Sequence, residues 1–238
     1  MGKVFDFEFM LSTVPQIMAY LPVTLYIAVL SGAVALVLGF LVALIRFFHV
    51  KVLTQIAAVY ISLMRGTPAM VQLLLAYYGI PVLLRAINEG TGANLSVNGI
   101  PAIVFAIIAM TLNNAAFMSE SLRGALLAVD AGQLEACYSV NMSTFQALHR
   151  VILPQAFLTA LPSLGNTFIS LLKETSLVFN ISVVEIMAAA KIVGGRSFRF
   201  FEVYIVVAAI YWVCCFILEK LFALLEKKLR TFERSAVR

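Results

Sequence analysis

Residues 21–48 read LPVTLYIAVLSGAVALVLGFLVALIRFF and contain no charged residue before Arg46. Roughly 20 consecutive apolar residues are enough for a helix to cross the hydrocarbon core of a bilayer, so this stretch predicts a transmembrane helix. The chain of 238 residues is 62% hydrophobic and only 12% charged, which leaves too little polar surface to cover a soluble globule of this size. The sequence therefore predicts a membrane protein.

Four more apolar stretches predict further spans, so we expect an all-α membrane protein with five transmembrane helices. The second span follows Arg65-Gly66-Thr67-Pro68, where glycine and proline must bend or interrupt a helix. The fourth is followed by Lys173-Glu174-Thr175-Ser176, and hydropathy leaves open whether these residues lie at the outer surface or inside the protein. The four stretches are residues 69–84, 100–118, 151–172 and 200–218.

Charged residues predict the orientation of the spans. Six of the 17 basic residues lie between Lys220 and Arg238, directly after the last span, and such positive segments stay in the cytoplasm. Five crossings then place the N-terminus outside, where Asp6 and Glu8 argue against a cleavable signal. Since orientation accounts for the basic residues, we expect no nucleic-acid partner. The predicted cytoplasmic segments are a loop at 119–150 and a helical tail at 219–238, and the outer loops are 85–99 and 194–199.

The sequence contains no pattern for catalysis or for ATP binding. No Gly-x-x-x-x-Gly-Lys-Ser/Thr loop is present to cradle phosphates, and neither His49 nor His149 has partners in a catalytic pattern. The three cysteines lack the spacing of metal ligands. We therefore expect a transport subunit rather than an enzyme, with no cofactor or metal of its own and with its energy supplied by another subunit.

The polar interval between the third and fourth spans holds the most informative motif. It reads Gly132-Gln133-Leu134-Glu135-Ala136-Cys137, then Asn141 and, after nine further residues, Val151-Ile152-Leu153-Pro154. The pattern predicts a short helix with an apolar side, a turn at Asn141 and a second helix into the membrane, and such a helix can dock in a groove of a partner. Glu135 could accept hydrogen bonds from backbone donors at the start of its helix or from that partner.

This motif closely resembles the permease motif of ATP-binding-cassette (ABC) importers, which is Glu-Ala-Ala, three residues, Gly, nine residues and Ile-x-Leu-Pro. Cys137 replaces the second Ala and Asn141 replaces the Gly. Asparagine readily adopts a left-handed backbone, so the turn remains feasible. Other segments resemble the polar amino-acid subgroup of these permeases: Arg65-Gly66-Thr67-Pro68, Asn113-Asn114-Ala115-Ala116-Phe117, Glu120, Arg123-Gly124, Leu153-Pro154-Gln155-Ala156 and Lys173-Glu174-Thr175-Ser176-Leu177.

The resemblance covers nearly the whole chain and implies the type I ABC importer permease fold in a single transmembrane domain, residues 1–238. In that family the interval between spans three and four is a coupling helix that sits in a cleft of the nucleotide-binding subunit. The implied partners are two ATPase subunits that bind ATP and Mg²⁺, a second permease subunit, identical or homologous, and an extracytoplasmic amino-acid-binding protein, at the bacterial inner membrane. The residues implied for ATPase coupling are Gly132, Gln133, Glu135, Ala136, Asn141, Leu153 and Pro154.

Polar residues within or beside the apolar spans are candidates for the substrate pathway, because ionisable groups in a membrane are costly and are functional candidates. Asn113 and Asn114 suit either an interhelical hydrogen bond or a polar lining of the pathway. The full candidate set is Asn113, Asn114, Glu120, Lys173, Glu174, Thr175 and Ser176.

The charged members of this set have alternative interpretations. Lys173 and Glu174 could meet the carboxylate and ammonium of an amino acid, but neighbouring helical residues point about 100° apart, so they cannot face one point together. Glu120 lies three residues before Arg123, and this spacing also suits a structural ion pair.

The predicted function is import of a polar amino acid, with cystine and the basic amino acids among the candidate cargoes, powered by separate ATPase subunits. The alternative is a secondary amino-acid transporter driven by an ion gradient. Five spans without an internal repeat, together with a partner-docking motif, count against that alternative. Importers of arginine, histidine, glutamine and cystine share these motifs, so the motifs do not select the cargo.

Overall fold

A computed structural model describes residues 5–95 and 99–236, and its regular structure over these residues is helical. A π-helical turn, Leu148–Ile152, joins α7 to α8, and a 3-10 helix, Thr175–Ile181, follows α8. The predicted all-α fold is confirmed. The helices are α1 Phe7–Met18, α2 Leu21–Phe47, α3 Leu53–Gly66, α4 Ala69–Thr91, α5 Ala102–Leu127, α6 Ala131–Ser139, α7 Thr144–Ala147, α8 Leu153–Glu174, α9 Ile186–Ser197 and α10 Phe200–Ala236.

Among residues 5–95 and 99–236, the four helices α2, α4, α5 and α10 are each long and apolar enough to cross a membrane. The fifth span is a broken one: the helical stretch Thr144–Ile181 is followed by Ile186–Ser197 at an angle of 52°. The break contains Ser182 in the left-handed conformation, with φ 64°. The five predicted spans are therefore present when this bent pair counts as one.

Helices α4, α5 and α9 run into intervals that were predicted to lie between the spans, and α10 continues past its span as the predicted helical tail. Helix α4 continues to Thr91, α5 continues to Leu127, and α9 includes Gly194, Gly195 and Arg196. The predicted outer loops at 85–99 and 194–199 are thus partly helical, and α5 ends nine residues later than the predicted third span, at Leu127 instead of Met118. The physical reason is that hydropathy marks where a helix leaves the hydrocarbon core, whereas the backbone hydrogen bonds of the helix can continue among polar residues.

The predicted break before the second crossing is present. Helix α3 ends at Gly66 and α4 begins at Ala69, with Thr67 in an extended conformation (φ −122°, ψ 148°). The residue before a proline avoids the helical region because the proline ring would collide with it. Thr67 and Pro68 therefore separate a 14-residue helix from a full span.

Helix α5 contacts α2, α3, α4 and α8, and its most extensive contact is with α2. A Cβ atom at Gly39 would lie 3.0 Å from the carbonyl oxygen of Ala115 and 3.1 Å from Cβ of Met118. Small residues let transmembrane backbones approach closely, so this contact has no room for a larger side chain. Small buried residues recur along α2 at intervals of three or four, at Ala28, Gly32, Ala35, Gly39 and Ala43, with Ser31 buried beside Gly32.

The N-terminal helix α1 was not predicted, and its 12 residues are too few to span a bilayer. The Asp6 side chain accepts a hydrogen bond from the Phe9 amide at 3.0 Å and so begins the helix. Arg199 lies 3.2 Å from Asp6 and 3.4 Å from Glu202. This ion-pair cluster ties α1 to the start of α10, nearly 200 residues away in sequence.

Candidate functional site

The first candidate site is the coupling segment, defined as residues 130–154 between α5 and the body of α8. Its helix α6 begins at Asp130, whose side chain accepts a hydrogen bond from the Gly132 amide at 2.7 Å. An aspartate at this position satisfies a backbone donor that the first turn of a helix leaves free. Glu135 lies in the middle of α6 rather than in its first turn, so the expectation that it could accept from the helix start was wrong.

Helix α6 ends in a left-handed turn at Asn141, which has φ 62°. The Asn141 amide donates to the Tyr138 carbonyl at 2.9 Å, and the Met142 amide donates to the Cys137 carbonyl at 3.0 Å. These two bonds form a Schellman motif, the arrangement in which glycine or asparagine ends a helix. The left-handed turn predicted from the motif spacing is confirmed.

A second helical element starts immediately after the turn and leads into α8. Ser143 and Gln146 form a capping box, in which the Ser143 amide donates to the Gln146 side chain at 2.9 Å and the Gln146 amide donates to the Ser143 hydroxyl at 3.3 Å. Gln155 at the start of α8 donates to the Gln133 side chain of α6 at 3.0 Å. The segment is thus a helix, a turn and a second helix, as predicted, and α6 is joined to α8.

The outer side of the coupling segment exposes large apolar side chains. Val140 is 69% exposed and Phe145 is 75% exposed, and Tyr138 and Glu135 are exposed beside them. Cys137 faces inward and is buried. Large exposed apolar side chains close together in the chain, as Tyr138, Val140 and Phe145 are here, suit a protein interaction surface.

The second candidate site is a group of polar side chains between the spans, here named the pathway cluster: Gln72, Asn113, Asn114 and Glu174. Asn113 of α5 donates to the Gln72 side chain of α4 at 2.9 Å. Gln72 in turn donates to the Thr67 hydroxyl at 2.8 Å and to the Met64 carbonyl at 2.9 Å. These bonds hold the broken region between α3 and α4 against α5.

Asn114 connects α5 to the end of α8, because its side-chain amide donates to Glu174 at 3.3 Å. Asn113 and Glu174 line the same small cavity between α4, α5 and α8. The cavity has a volume of about 10 Å³, far below the roughly 300 to 1,000 Å³ of a ligand pocket. The structure therefore brings three of the predicted pathway residues together in a closed arrangement.

The neighbours of Glu174 face elsewhere. Lys173 is exposed on the surface of α8, which agrees with the expectation that it and Glu174 cannot face one point. Thr175 is buried and lies 3.2 Å from the Tyr211 hydroxyl. Ser176 lines a separate open depression of about 500 Å³ beside α9 and α10.

Glu120 lies away from the pathway cluster, among arginines of three helices. It contacts Arg46 of α2, and it lies 3.4 Å from Arg123 of α5 and 3.8 Å from Arg65 of α3. The ion pair expected from the spacing of Glu120 and Arg123 is present. Because the acid is shared among three bases, it joins the ends of α2, α3 and α5.

Sequence reasoning missed two polar residues that the structure places among the spans. Gln72 both accepts and donates hydrogen bonds at the centre of the pathway cluster. Its polar side chain within the apolar stretch 69–84 could have marked it as a candidate in the sequence. Glu185 is fully buried and begins α9, where it accepts from the Ala188 amide at 3.0 Å and from the Tyr211 hydroxyl at 3.1 Å. Glu185 thereby holds the bend between α8 and α9 against α10.

Comparison with known proteins identifies the family. Residues 35–231 match the family described as binding-protein-dependent transport system inner membrane component. The chain belongs to this family. The match includes α3, α4, α5, the coupling segment and α8, and therefore both candidate sites.

Individual relatives are similar in sequence to this chain over nearly its full length. The "Probable amino-acid permease protein YxeN" of Bacillus subtilis (strain 168) is 44% identical over 93% of this chain and 95% of its own length. The L-cystine transport system permease protein TcyL of the same organism is 40% identical over 97% of this chain and 94% of its own. A crystal structure of an amino acid ABC transporter with histidines contains a chain 35% identical, with a TM-score of 0.80 over 95% of this chain and 100% of that one.

These family members establish the class of protein. The chain is a multi-pass membrane subunit of an ABC importer with the type I permease fold, and a secondary transporter driven by an ion gradient is not favoured. Such subunits carry out transport together with ATPase subunits. Among residues 5–95 and 99–236, no group of three or more His, Cys, Asp or Glu side chains is arranged to hold a metal ion.

Proposed function

We propose that this chain is the channel subunit, a single domain, through which an ABC importer moves a polar amino acid across the bacterial inner membrane. The partners are two ATPase subunits, which bind ATP and Mg²⁺, a second permease subunit and an extracytoplasmic binding protein. The observation that carries the proposal is the coupling segment, whose rigidly capped helices expose an apolar face and continue directly into a span. The relatives named for amino-acid and L-cystine transport support an amino-acid cargo.

The coupling segment would transmit movement of the ATPase to the pathway cluster through one helix. The exposed face with Tyr138 and Phe145 docks in the ATPase cleft. At this contact the Glu135 carboxylate accepts hydrogen bonds from the ATPase. The contact between Gln133 and Gln155 and the start of α8 at Leu153 pass the displacement to α8. Glu174 at the far end of α8 then moves relative to Asn114.

Other coupling residues have local reasons for their positions. A Cβ at Gly132 would lie 2.8 Å from the Asp130 carboxylate, so glycine preserves the cap of α6. Ala136 is small and exposed on the docking side. Pro154 lies just after the π-helical turn inside one continuous helical stretch, and its missing amide removes a backbone hydrogen bond to that preceding turn. Asn141 sets the angle between the two helices through its left-handed backbone.

The pathway cluster would bind the cargo when α8 moves. An amino acid carries a carboxylate and an ammonium, and the amides of Asn113 and Asn114 and the carboxylate of Glu174 can pair with these groups. Lys173 is exposed and could pair with the carboxylate of the amino acid before the amino acid reaches the pathway cluster. Glu120, Thr175 and Ser176 are more distant members of the proposed pathway. The small volume of the cavity fits a closed state that must open before the cargo enters.

The cargo and the pathway cluster can be tested in one assay. We expect Asn113→Ala, Asn114→Ala and Glu174→Gln to weaken stimulation of ATPase activity by cargo-loaded binding protein at least about ten-fold, because each loses a hydrogen bond to a charged group. Basal ATPase activity should stay within about two-fold, since the coupling segment is unchanged. The measurement is ATPase activity of the reconstituted importer across a panel of amino acids.

Ser12→Ala is the matched control, because Ser12 is exposed on α1, outside both candidate sites, and its hydroxyl donates to the nearby Phe9 carbonyl at 2.7 Å. A cargo dependence that is identical to wild type in all three cluster variants would place the pathway elsewhere. If no amino acid in the panel stimulates the intact importer, the proposed cargo class is wrong.

We expect the N-terminus outside and the C-terminus inside, because the basic residues follow the last span. With native cysteines replaced, Glu89→Cys near the end of α4 should react with a membrane-impermeant thiol reagent in intact cells. Lys228→Cys in the extension of α10 should react only after permeabilisation. Both positions are exposed, so the reverse pattern would show that the orientation is inverted.

A further inference from the structure

An open depression between the 3-10 helix, α9 and α10, here named the α9 groove, lies outside both the coupling segment and the pathway cluster. Its volume is about 500 Å³, within the roughly 300 to 1,000 Å³ of sites that hold small molecules. The lining is apolar except for one ammonium group and two hydroxyl groups. It includes Leu177, Phe179, Met187, Lys191, Tyr204 and Val207.

Lys191 supplies the positive charge of the α9 groove. Its ammonium nitrogen lies 3.4 Å from the centroid of the Phe179 ring, so the cation is attracted to the face of that ring. In the described part of the chain, no carboxylate lies within 4.0 Å of this nitrogen. A cation in an apolar part of a membrane protein is costly unless an anion or water meets it. The groove therefore has the charge to hold an anionic group.

The α10 wall of the groove belongs to an apolar face that the bundle leaves exposed. Tyr204 and Ala208 line the groove, and both are exposed. Phe201, Ile205 and Trp212 are also exposed, and their spacing of three or four residues from Tyr204 and Ala208 places them on the same side of α10. Exposed apolar side chains on a membrane span suit contact with lipid tails, which are equally apolar. The groove therefore opens toward the bilayer.

The polar groups of the groove lie near one boundary of the hydrocarbon core. Lys191 precedes the last residue of α9, Ser197, by six residues, which is roughly 9 Å along the helix axis. Tyr204 follows the first residue of α10, Phe200, by four residues, which is roughly 6 Å. The connection between these helices faces outside in the proposed orientation. The ammonium and the phenol therefore lie close to the lipid headgroups of the outer leaflet.

The lining favours an anionic lipid over an amino acid. The ammonium group of an amino acid needs an acceptor, yet the charged side chain of the described lining is Lys191. Carboxylates of the adjoining segments have other partners: Glu185 accepts from the Tyr211 hydroxyl at 3.1 Å, and Glu174 accepts from Asn114 at 3.3 Å. A phospholipid of net negative charge brings a phosphate for the ammonium and an acyl chain for the apolar walls. Basic pockets between membrane helices bind such headgroups.

We propose that the α9 groove binds one phospholipid of net negative charge. The Lys191 ammonium and the Tyr204 hydroxyl donate hydrogen bonds to its phosphate, and one acyl chain lies along Leu177, Met187 and Val207. The lipid then packs between the 3-10 helix that follows α8 and the first turns of α10, beside the bend between α8 and α9. This site goes beyond the proposed function, because it holds a component of the bilayer rather than the cargo.

The test is native mass spectrometry of the full-length chain, delipidated in detergent and titrated with phosphatidylglycerol or with phosphatidylcholine of the same acyl chains. Phosphatidylglycerol should bind with an apparent Kd at least about five-fold lower, because the choline cation is repelled by Lys191. Lys191→Gln should raise the Kd for phosphatidylglycerol at least about five-fold, whereas Lys191→Arg, which keeps the charge, should stay within about two-fold of wild type. Lys51→Gln is the matched control and should also stay within about two-fold, because Lys51 is exposed in the turn before α3, away from the groove.

Ala208→Phe tests the part of the groove that holds the acyl chain. Ala208 is exposed and lines the groove, so a phenyl ring can fill the groove without overpacking the bundle. We expect this variant to bind phosphatidylglycerol at least about five-fold more weakly, because the chain loses the apolar surface that it buries. Ala209→Phe is its matched control, since Ala209 is exposed on α10 outside the lining. The Tm of each variant in detergent shows that it is folded.

Three results would each overturn the proposal. The first is equal affinity of the wild type for the two lipids. The second is wild-type affinity for phosphatidylglycerol in both Lys191→Gln and Ala208→Phe. The third is displacement of bound phosphatidylglycerol, one for one, by a free polar amino acid, which would make the groove a cargo site instead.

Discussion

Gly39→Leu is expected to remove most of the folded subunit from the membrane. A Cβ at this position already lies 3.0 Å from the Ala115 carbonyl oxygen and 3.2 Å from the Ser119 amide nitrogen. Because both are backbone atoms of α5, they cannot turn away as a side chain could. Overpacking a core typically costs about 1 to 3 kcal/mol, and separating two spans should lie at the upper end. We expect a several-fold loss of membrane abundance and a lower Tm in detergent.

Gly79→Leu on α4 is the matched control for this prediction. In the described part of the chain, a Cβ at Gly79 would meet no atom within 4 Å, so the leucine should be accommodated with near wild-type abundance. Equal losses in the two variants would mean that leucine in any span is harmful. Normal abundance of Gly39→Leu would contradict the close packing of α2 on α5.

Asn141→Val is expected to abolish most transport while leaving the spans folded. Valine disfavours the left-handed backbone of this turn by about 1 to 2 kcal/mol or more, and the Schellman bonds that end α6 depend on that backbone. The helix would then lose its fixed angle to α8, and docking of the ATPase would weaken. Membrane abundance, co-purification of the ATPase subunit and ATP-driven uptake are the measurements.

Asn141→Gly is the control, since glycine adopts the same conformation without strain. We expect it to retain near wild-type values in all three measurements. If valine is tolerated as well as glycine, the turn at residue 141 does not control coupling. If both variants fail equally, the asparagine side chain itself is required rather than its backbone conformation.

The spans could be predicted because membrane insertion depends on local hydropathy, which a single sequence reports directly. Helix ends could not be placed in the same way. Ser119 to Leu127 are helical although Glu120 and Arg123 are charged, because Glu120 pairs with Arg46 and Arg65 of other helices and with Arg123 of its own helix. Helix α1 was missed for a related reason, since its anchors Arg199 and Glu202 are distant in sequence.

The coupling segment was predicted in more detail than the pathway cluster, because its geometry depends on neighbouring residues. The turn at Asn141 follows from the motif spacing and from the backbone preference of asparagine. The contact of Asn113 with Gln72 depends on how α4 and α5 pack, and the sequence left it undetermined.

The most direct test of the central claim is amino-acid uptake into proteoliposomes that contain this chain with or without its ATPase subunits. With the ATPase, the binding protein and ATP on the ATPase side, we predict uptake that stops when ATP is withdrawn. The chain alone should hydrolyse no ATP and should accumulate no amino acid when a proton or sodium gradient is imposed. Gradient-driven uptake by the chain alone would contradict its role as the membrane subunit of an ABC importer.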